Sequence, residues 1–155
     1  MVVLVIVITL IQSIPDRIRY YRLSKAGILE TDSMTGRDFE LWLKSIYGRM
    51  GYKAKVTRAS KDRGADLVVT DLNGVKMAVQ AKKLAKGKIG PKPIGEVLRG
   101  KNYYGCDKAI VVTNQYFTKQ AIEEAKVNRV ELWNRNRLLK EIERVEKIKK
   151  KSAAS

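Results

Sequence analysis

The segment RGADLVVTDLNGVKMAVQAKK, residues 63–83, is the part of this chain that leaves the fold least freedom. Two apolar runs flank Asn73-Gly74, a pair strongly favoured at hairpin turns. A two-residue loop would set Leu67 opposite Gln80 and Val69 opposite Ala78, mixing core and solvent positions on one face. A three-residue loop, Leu72-Asn73-Gly74, sets Leu67 opposite Val79 and Val69 opposite Met77 instead. One face is then uniformly apolar, and Gly74 takes the left-handed conformation that closes a bulged turn. The other face aligns Asp66 with Gln80 and carries Lys82 two residues further on. The hairpin thus brings a carboxylate, an amide oxygen and an ammonium to one end of a sheet.

Asp and a side-chain carbonyl are hard oxygen ligands, suited to magnesium or manganese. A lysine beside such an ion can offset charge developing on a phosphate, and metal-assisted phosphodiester hydrolysis needs those parts. The spacing alone is also that of ordinary solvated strand ends. Composition narrows the chemistry further. The chain has no histidine and one cysteine, Cys106. That excludes histidine-based triads, HExxH metalloproteases, zinc sites built on imidazole or cysteine clusters, and HNH-type nucleases. The lone cysteine fits a reducing compartment. Lys and Arg number 32 against 16 Asp and Glu, a formal charge of +16. Such a chain binds polyanions or a membrane surface. Its 155 residues, 45% hydrophobic, suit one domain with a real core.

The chain opens MVVLVIVITLIQSI, residues 1–14, a run short for a full membrane span. No basic residue precedes it and no small-x-small cleavage pattern follows, so a signal peptide fits poorly. Arg17, Arg19, Arg22 and Lys25 come next, with Tyr20 and Tyr21 among them. Basic and aromatic residues beside an apolar run mark a cytoplasmic membrane boundary. The expectation is an N-terminal anchor at 2–14 on the inner face of the membrane, a basic linker at 15–32, and a domain from 33 to 140. A basic helix end and frayed tail fill 141–155; a buried strand is the competing reading of the N-terminal run.

From Thr35, with Asp38 three residues on, a capping box opens a helix. Phe39, Trp42, Leu43, Ile46, Tyr47 and Met50 form its apolar stripe, and Gly51 ends it. Strand-like runs at 52–57, 66–71 and 75–82 follow, then a helix at 96–104, a buried strand at 108–113, a helix at 118–127, a short strand at 130–133 and a charged helix from 135. This order, α-β-β-β-α-β-α-β-α, gives a mixed α/β domain.

The stretches SMTGRDFELWL, DRGADLVV, AVQAKK, YYGCDKAIVVTNQYFTKQAIEEAK and VELWNRNRL, in that order, resemble the Mrr-type restriction endonuclease domain, a branch of the PD-(D/E)xK nucleases. The resemblance runs from Ser33 to Leu139 and implies a restriction-endonuclease-like mixed central sheet flanked by helices. By position it implies that Asp66 is the metal-binding aspartate, that Gln80 stands at the acidic place of the (D/E)xK triplet, and that Lys82 is the catalytic lysine. Glu40, in the first-helix stretch, completes the implied catalytic and metal-binding set of Asp66, Gln80 and Glu40, with Mg2+ or Mn2+ as cofactor. Gly64-Ala65-Asp66 replaces Pro-Asp, and a neutral glutamine replaces an acid, so this site offers a cation less negative charge.

Lys82, Lys83, Lys86, Lys88 and Lys92 fall among Gly87, Gly90, Pro91 and Pro93, reading as a mobile basic loop that holds phosphates without base readout. Glu96 opens the following helix, and support of the site from behind is only its minor reading. Trp133, Tyr103 and Tyr104 read as packing residues. The leading expectation is a metal-dependent endonuclease acting on double-stranded DNA, in restriction of foreign or modified DNA. A junction resolvase, a non-catalytic DNA-binding module that keeps the fold, and a basic membrane-surface protein are the alternatives, and a homodimer stays open.

Overall fold

The computed structural model describes residues 17–57 and 63–155. The apolar run 1–14, and with it the expected anchor, lies outside them. Among the described residues no helix is long and apolar enough to cross a membrane.

The hairpin adopts the three-residue loop. Strands β2 (Leu67–Thr70) and β3 (Lys76–Lys82) pair antiparallel with Leu67 opposite Val79 and Val69 opposite Met77. Gly74 has φ +83° and donates its N–H to the Asp71 carbonyl, while Asp71 Oδ1 accepts from the N–H groups of Asn73 and Val75. Aspartate thus closes the turn with its own side chain.

Strand β1 (Lys53–Val56) pairs antiparallel with β2 on the outer side. Strand β5 (Lys108–Thr113) pairs parallel with β3, and β7 (Glu131–Trp133) parallel with β5, giving the sheet order β1-β2-β3-β5-β7. Parallel neighbours need crossovers, which helices α3 (Lys92–Tyr103) and α4 (Lys119–Val127) supply. Helix α2 (Gly36–Arg49) begins with the expected capping box of Thr35 and Asp38. It buries Phe39, Trp42, Leu43 and Ile46 against Leu67, Val69, Val79, Ile110 and Val112, with Leu138 from α5 (Arg135–Ala153) in the same core. The opposite face packs Ala78, Ala109 and Val111 against Ile94 and Val97 of α3 and Ala121 and Ala125 of α4. Apolar on both faces, β5 reads in the sequence as the unbroken run Ala109–Val112, as a central parallel strand must.

Several boundaries differ from expectation. The basic loop is ordered by pairing: β4 (Lys88–Ile89) lies parallel to β6 (Tyr116–Phe117), and α3 starts at Lys92. Helix α5 runs to Ala153 rather than fraying from Lys147. The stretch expected as a linker is folded onto the domain. Residues 17–23 are helical (α1), Leu23 joins the core, Arg19 Nε donates to Asp38 at 2.6 Å, and a 3-10 turn covers Leu29–Ser33. Asp32 in that turn takes two bonds from Arg135, at 2.7 and 3.1 Å, and one from Asn114 Nδ2 at 3.0 Å. The bond from the guanidinium holds the Asp32 carboxyl below the usual carboxylate range. Asn114, fully buried, in turn bonds both the N–H and the carbonyl of Leu84. This hub ties together the ends of β3 and β5 and the start of α5, beside the strand end that carries the site.

Candidate active site

The β2–β3 ladder stops at Leu67–Val79, and the site is built where the strands part. Asp66 is one step past the last paired position rather than a ladder partner of Gln80. Thr57 draws the backbone away: its N–H and Oγ1 both donate to the Asp66 carbonyl, at 2.8 and 3.1 Å, and Oγ1 also to that of Ala65 at 2.7 Å. The Asp66 N–H still reaches the Val79 carbonyl. The next outward N–H of β3, that of Ala81, has lost its β2 partner, and a half-buried donor still needs another. It donates to Asp66 Oδ2 at 2.8 Å. Ala81 lies between Gln80 and Lys82, so this bond fixes the carboxylate at the middle of the Gln80-Ala81-Lys82 triplet.

The approach to Asp66 depends on Gly64, which has φ +81°. A Cβ there would stand 2.0 Å from the Glu96 carbonyl oxygen and 2.8 Å from the Gly100 nitrogen. One on Gly100 would meet the Gly64 carbonyl carbon at 2.6 Å. Two facing glycines therefore let the Arg-Gly-Ala-Asp segment lie directly on α3. That contact brings Glu96, one turn inside α3, to the site. Its Oε2 stands 2.7 Å from Lys82 Nζ, an ion pair outside hydrogen-bond geometry, with Glu96 8% exposed.

Gln80 is buried, and its Oε1 has no hydrogen-bond partner. Leaving such an oxygen unpaired costs about 1–3 kcal/mol. Glu40, on α2, pairs with Arg37 at 2.8 Å. Among the described residues no hydrogen bond joins it to Asp66, but its charge adds to the field there. Burial pushes the Asp66 carboxyl up to about 6; the Ala81 N–H and Lys82 oppose the rise, while Glu40 and Glu96 add to it. Asp66, Gln80 and Lys82 are thus gathered at one strand end, with Glu96 against Lys82 and Glu40 behind.

Among the described residues no three His, Cys, Asp or Glu side chains form a ready-made metal cage. The residues present nevertheless fit a hard divalent ion. They offer a carboxylate with negative neighbours and a vacant amide oxygen, and magnesium usually takes few protein ligands, completing its shell with water and phosphate oxygens.

Of the expected phosphate contacts, Lys86, Lys88 and Lys92 are exposed and Lys83 is half-buried. Trp133 is in the core as expected, but Tyr103 is 56% exposed, with the Arg63 guanidinium 4.4 Å over its ring. Sequence reasoning missed Arg63, Lys53 and Lys55. Their only signal is alternation, which puts Lys53 and Lys55 on the sheet face of Asp66 once the β1–β2 register is known.

The model of the Mrr catalytic domain, described as a restriction endonuclease, matches residues 31–142. No curated protein matches significantly. Among solved structures, the DNA modification-dependent restriction endonuclease AspBHI aligns with TM-score 0.59 at 18% identity, over 80% of this chain and 35% of that one. A protein of unknown function, AF1548, aligns with TM-score 0.51 at 15% identity, over 59% of this chain and 54% of that one. The MspJI restriction endonuclease, solved with a 27-mer oligonucleotide, aligns with TM-score 0.49 at 22% identity, covering 67% and 27%. The chain spans about half of AF1548 and about a third or less of the two endonucleases.

Proposed function

The chain belongs to the Mrr-type restriction endonuclease family, whose model covers residues 31–142, and on that premise we propose that it is a metal-dependent endonuclease that hydrolyses phosphodiester bonds of double-stranded DNA. The observation that carries this reading is the bond from Ala81 N–H to Asp66, which sets the carboxylate at the triplet bearing the vacant Gln80 oxygen and Lys82. Asp66 and Gln80 Oε1 would hold the ion, with Glu40 strengthening the negative field. When bound, magnesium or manganese supplies Lewis-acid polarisation of the scissile phosphate.

The chain's own residues supply the rest. Lys82 offsets the charge that gathers on the phosphate in the transition state, where such stabilisation counts most. Glu96 keeps the Lys82 ammonium over the site. Asp66, with a carboxyl pushed up to about 6, is held ready to ionise as positive charge arrives, and the negative neighbours favour a cation over a bare water there. Lys83, Lys86, Lys88 and Lys92 hold the backbone without reading bases.

The family's description as a restriction endonuclease supports foreign or modified DNA as the substrate. Residues 2–14 tether the enzyme to the inner face of the membrane in this reading; the support is the basic cluster at 17–25, and fractionation of chains with and without the run tests it. The test of function is cleavage of plasmid, methylated plasmid and four-way junction DNA with magnesium or manganese. Cutting of plasmid that EDTA abolishes is the expected result. Cutting of the junction alone would transfer the site to a resolvase, and DNA binding without cutting in either ion would make the fold a binding module.

A further inference from the structure

Among the described residues helices α3 and α4 cover the sheet face of Asp66 over β3, β5 and β7 and reach only Val68 of its outer half, leaving the rest of β1 and β2 bare. Alternation places Lys53, Lys55 and Thr57 of the first strand and Val68 and Thr70 of the second on that face. The end of α3 rises beside it and supplies Tyr103 and Tyr104 as a wall. The result is an open groove of about 800 Å³, lined also by Arg63 and Lys76. Among the described residues its lining holds four cationic side chains and no carboxylate.

Two links make the groove continuous with the site. Thr57, in its floor, donates to the Asp66 carbonyl, and Arg63 begins the segment that Gly64 presses onto α3. A polyanion bound along the groove therefore runs toward the strand end that carries Asp66 and Lys82. The wall also offers a flat surface, since the exposed Tyr103 ring lies under the Arg63 guanidinium. A basic track beside an aromatic surface is the recognition chemistry of single strands, whose bases are free to stack. A trough of about 800 Å³ admits a short stretch of one strand.

We propose that this groove binds a single-stranded segment of the DNA flanking the scissile phosphate, with phosphates on Lys53, Lys55, Arg63 and Lys76 and a base against the Arg63–Tyr103 pair. The proposal rests on the nuclease reading only for the identity of the polymer, and its test needs no cleavage. Binding of a short fluorescein-labelled oligothymidylate, and of a duplex of equal length, is measured in EDTA by anisotropy across a salt series, with the full-length chain.

Lys53→Gln with Lys55→Gln is expected to weaken oligothymidylate binding roughly tenfold and to lower the salt slope by about 1.4, about 0.7 per lost contact on a single strand. Tyr103→Ser is expected to weaken it several-fold, with Tyr103→Phe retaining the parent affinity, because stacking needs the ring and not the hydroxyl. Lys147→Gln with Lys150→Gln removes the same net charge from the far end of α5 and is expected to change little. Melting curves confirm that each variant is folded; both β1 lysines are exposed. Groove variants that bind the single strand like the parent, or a charge-matched α5 variant that weakens it equally, would overturn the proposal. If Lys86→Ala with Lys88→Ala weakens duplex binding while the groove variants leave the single strand untouched, only the groove inference fails. If the parent binds neither polymer, the nuclease reading fails with it.

Discussion

The two faces of the sheet are built from the same strands and do different work. The face under α2 and α5 is sealed: Phe39, Trp42, Leu43, Leu67, Val69 and Val79 are essentially inaccessible, and the Trp42 indole N–H is satisfied by the Ala26 carbonyl at 2.9 Å. The face under α3 and α4 is sealed only as far as β3. Beyond Ala78 it holds an unpaired amide oxygen, a carboxyl pushed up to about 6 and a half-buried ion pair, and then it opens into the basic groove. The first face contributes stability. The second gives some of it up to keep polar groups unsatisfied where a substrate can use them, as functional sites commonly do.

Substitutions on the two faces are therefore expected to separate stability from function. Trp42→Ala should have the largest effect on stability, a loss of about 3–5 kcal/mol in denaturant unfolding, since a fully buried indole is replaced by a void. DNA affinity should survive under conditions where the variant remains folded. Gly64→Ala should come next. The new Cβ falls 2.0 Å from the Glu96 carbonyl on a backbone at φ +81°, so overpacking and backbone strain together cost roughly 2–5 kcal/mol. Unlike Trp42→Ala, it should also lower cleavage by folded enzyme, because the segment must lift off α3 and separate Asp66 from the Lys82–Glu96 pair. A Gly64→Ala enzyme that cleaves normally would show that this packing is structural only.

Asp66→Asn should move stability the other way. The folded Asp66 carboxyl titrates at about 6, above the ordinary 3.8, so the folded state holds this proton more tightly than the unfolded chain does. Its stabilising contribution is complete below about 3.8 and is lost as pH rises to about 6. Above that, the ionised group costs up to roughly 3 kcal/mol, at about 1.4 kcal/mol per pH unit. Asparagine keeps an acceptor for the Ala81 N–H without the charge. In EDTA the variant should match the parent in acid and exceed it by about 1–3 kcal/mol at alkaline pH. An equal difference at both ends of the pH range would count against the buried-carboxyl account.

These contrasts also bear on what could be read from the residues alone. The hairpin register was legible because period-2 alternation allows a single loop length that keeps Leu67, Val69, Met77 and Val79 together. The capping box and the α2 stripe were legible for the same reason: both are local patterns. The vacancy at Gln80, the ion pair of Glu96 with Lys82 and the groove were not, because each depends on where α3 lies, which the Gly64–Gly100 approach and the packing of Ile94 and Val97 on the sheet decide together. The sequence KAK of β1 looks like any edge strand until a second wall stands opposite it. The bridge from Asp32 to Arg135 joins residues 103 apart, beyond any local signal.

The smallest expected effect on stability is that of Lys86→Ala with Lys88→Ala, near zero for exposed side chains. This pair should instead weaken duplex binding across all sequences and lower the salt slope by nearly two, about 0.9 per contact. It supplies the reference for the measurement that tests the central claim most directly, namely that Lys82 acts in the chemistry and the loop lysines act in binding. Magnesium-dependent plasmid cleavage and duplex affinity are measured side by side for the parent, Lys82→Ala and the Lys86→Ala, Lys88→Ala pair. The account predicts that Lys82→Ala loses cleavage with affinity nearly intact, while the loop pair loses affinity and keeps its maximal rate at saturating enzyme. Lys82→Ala behaving like the loop pair, weaker in binding and unimpaired at saturation, would contradict it.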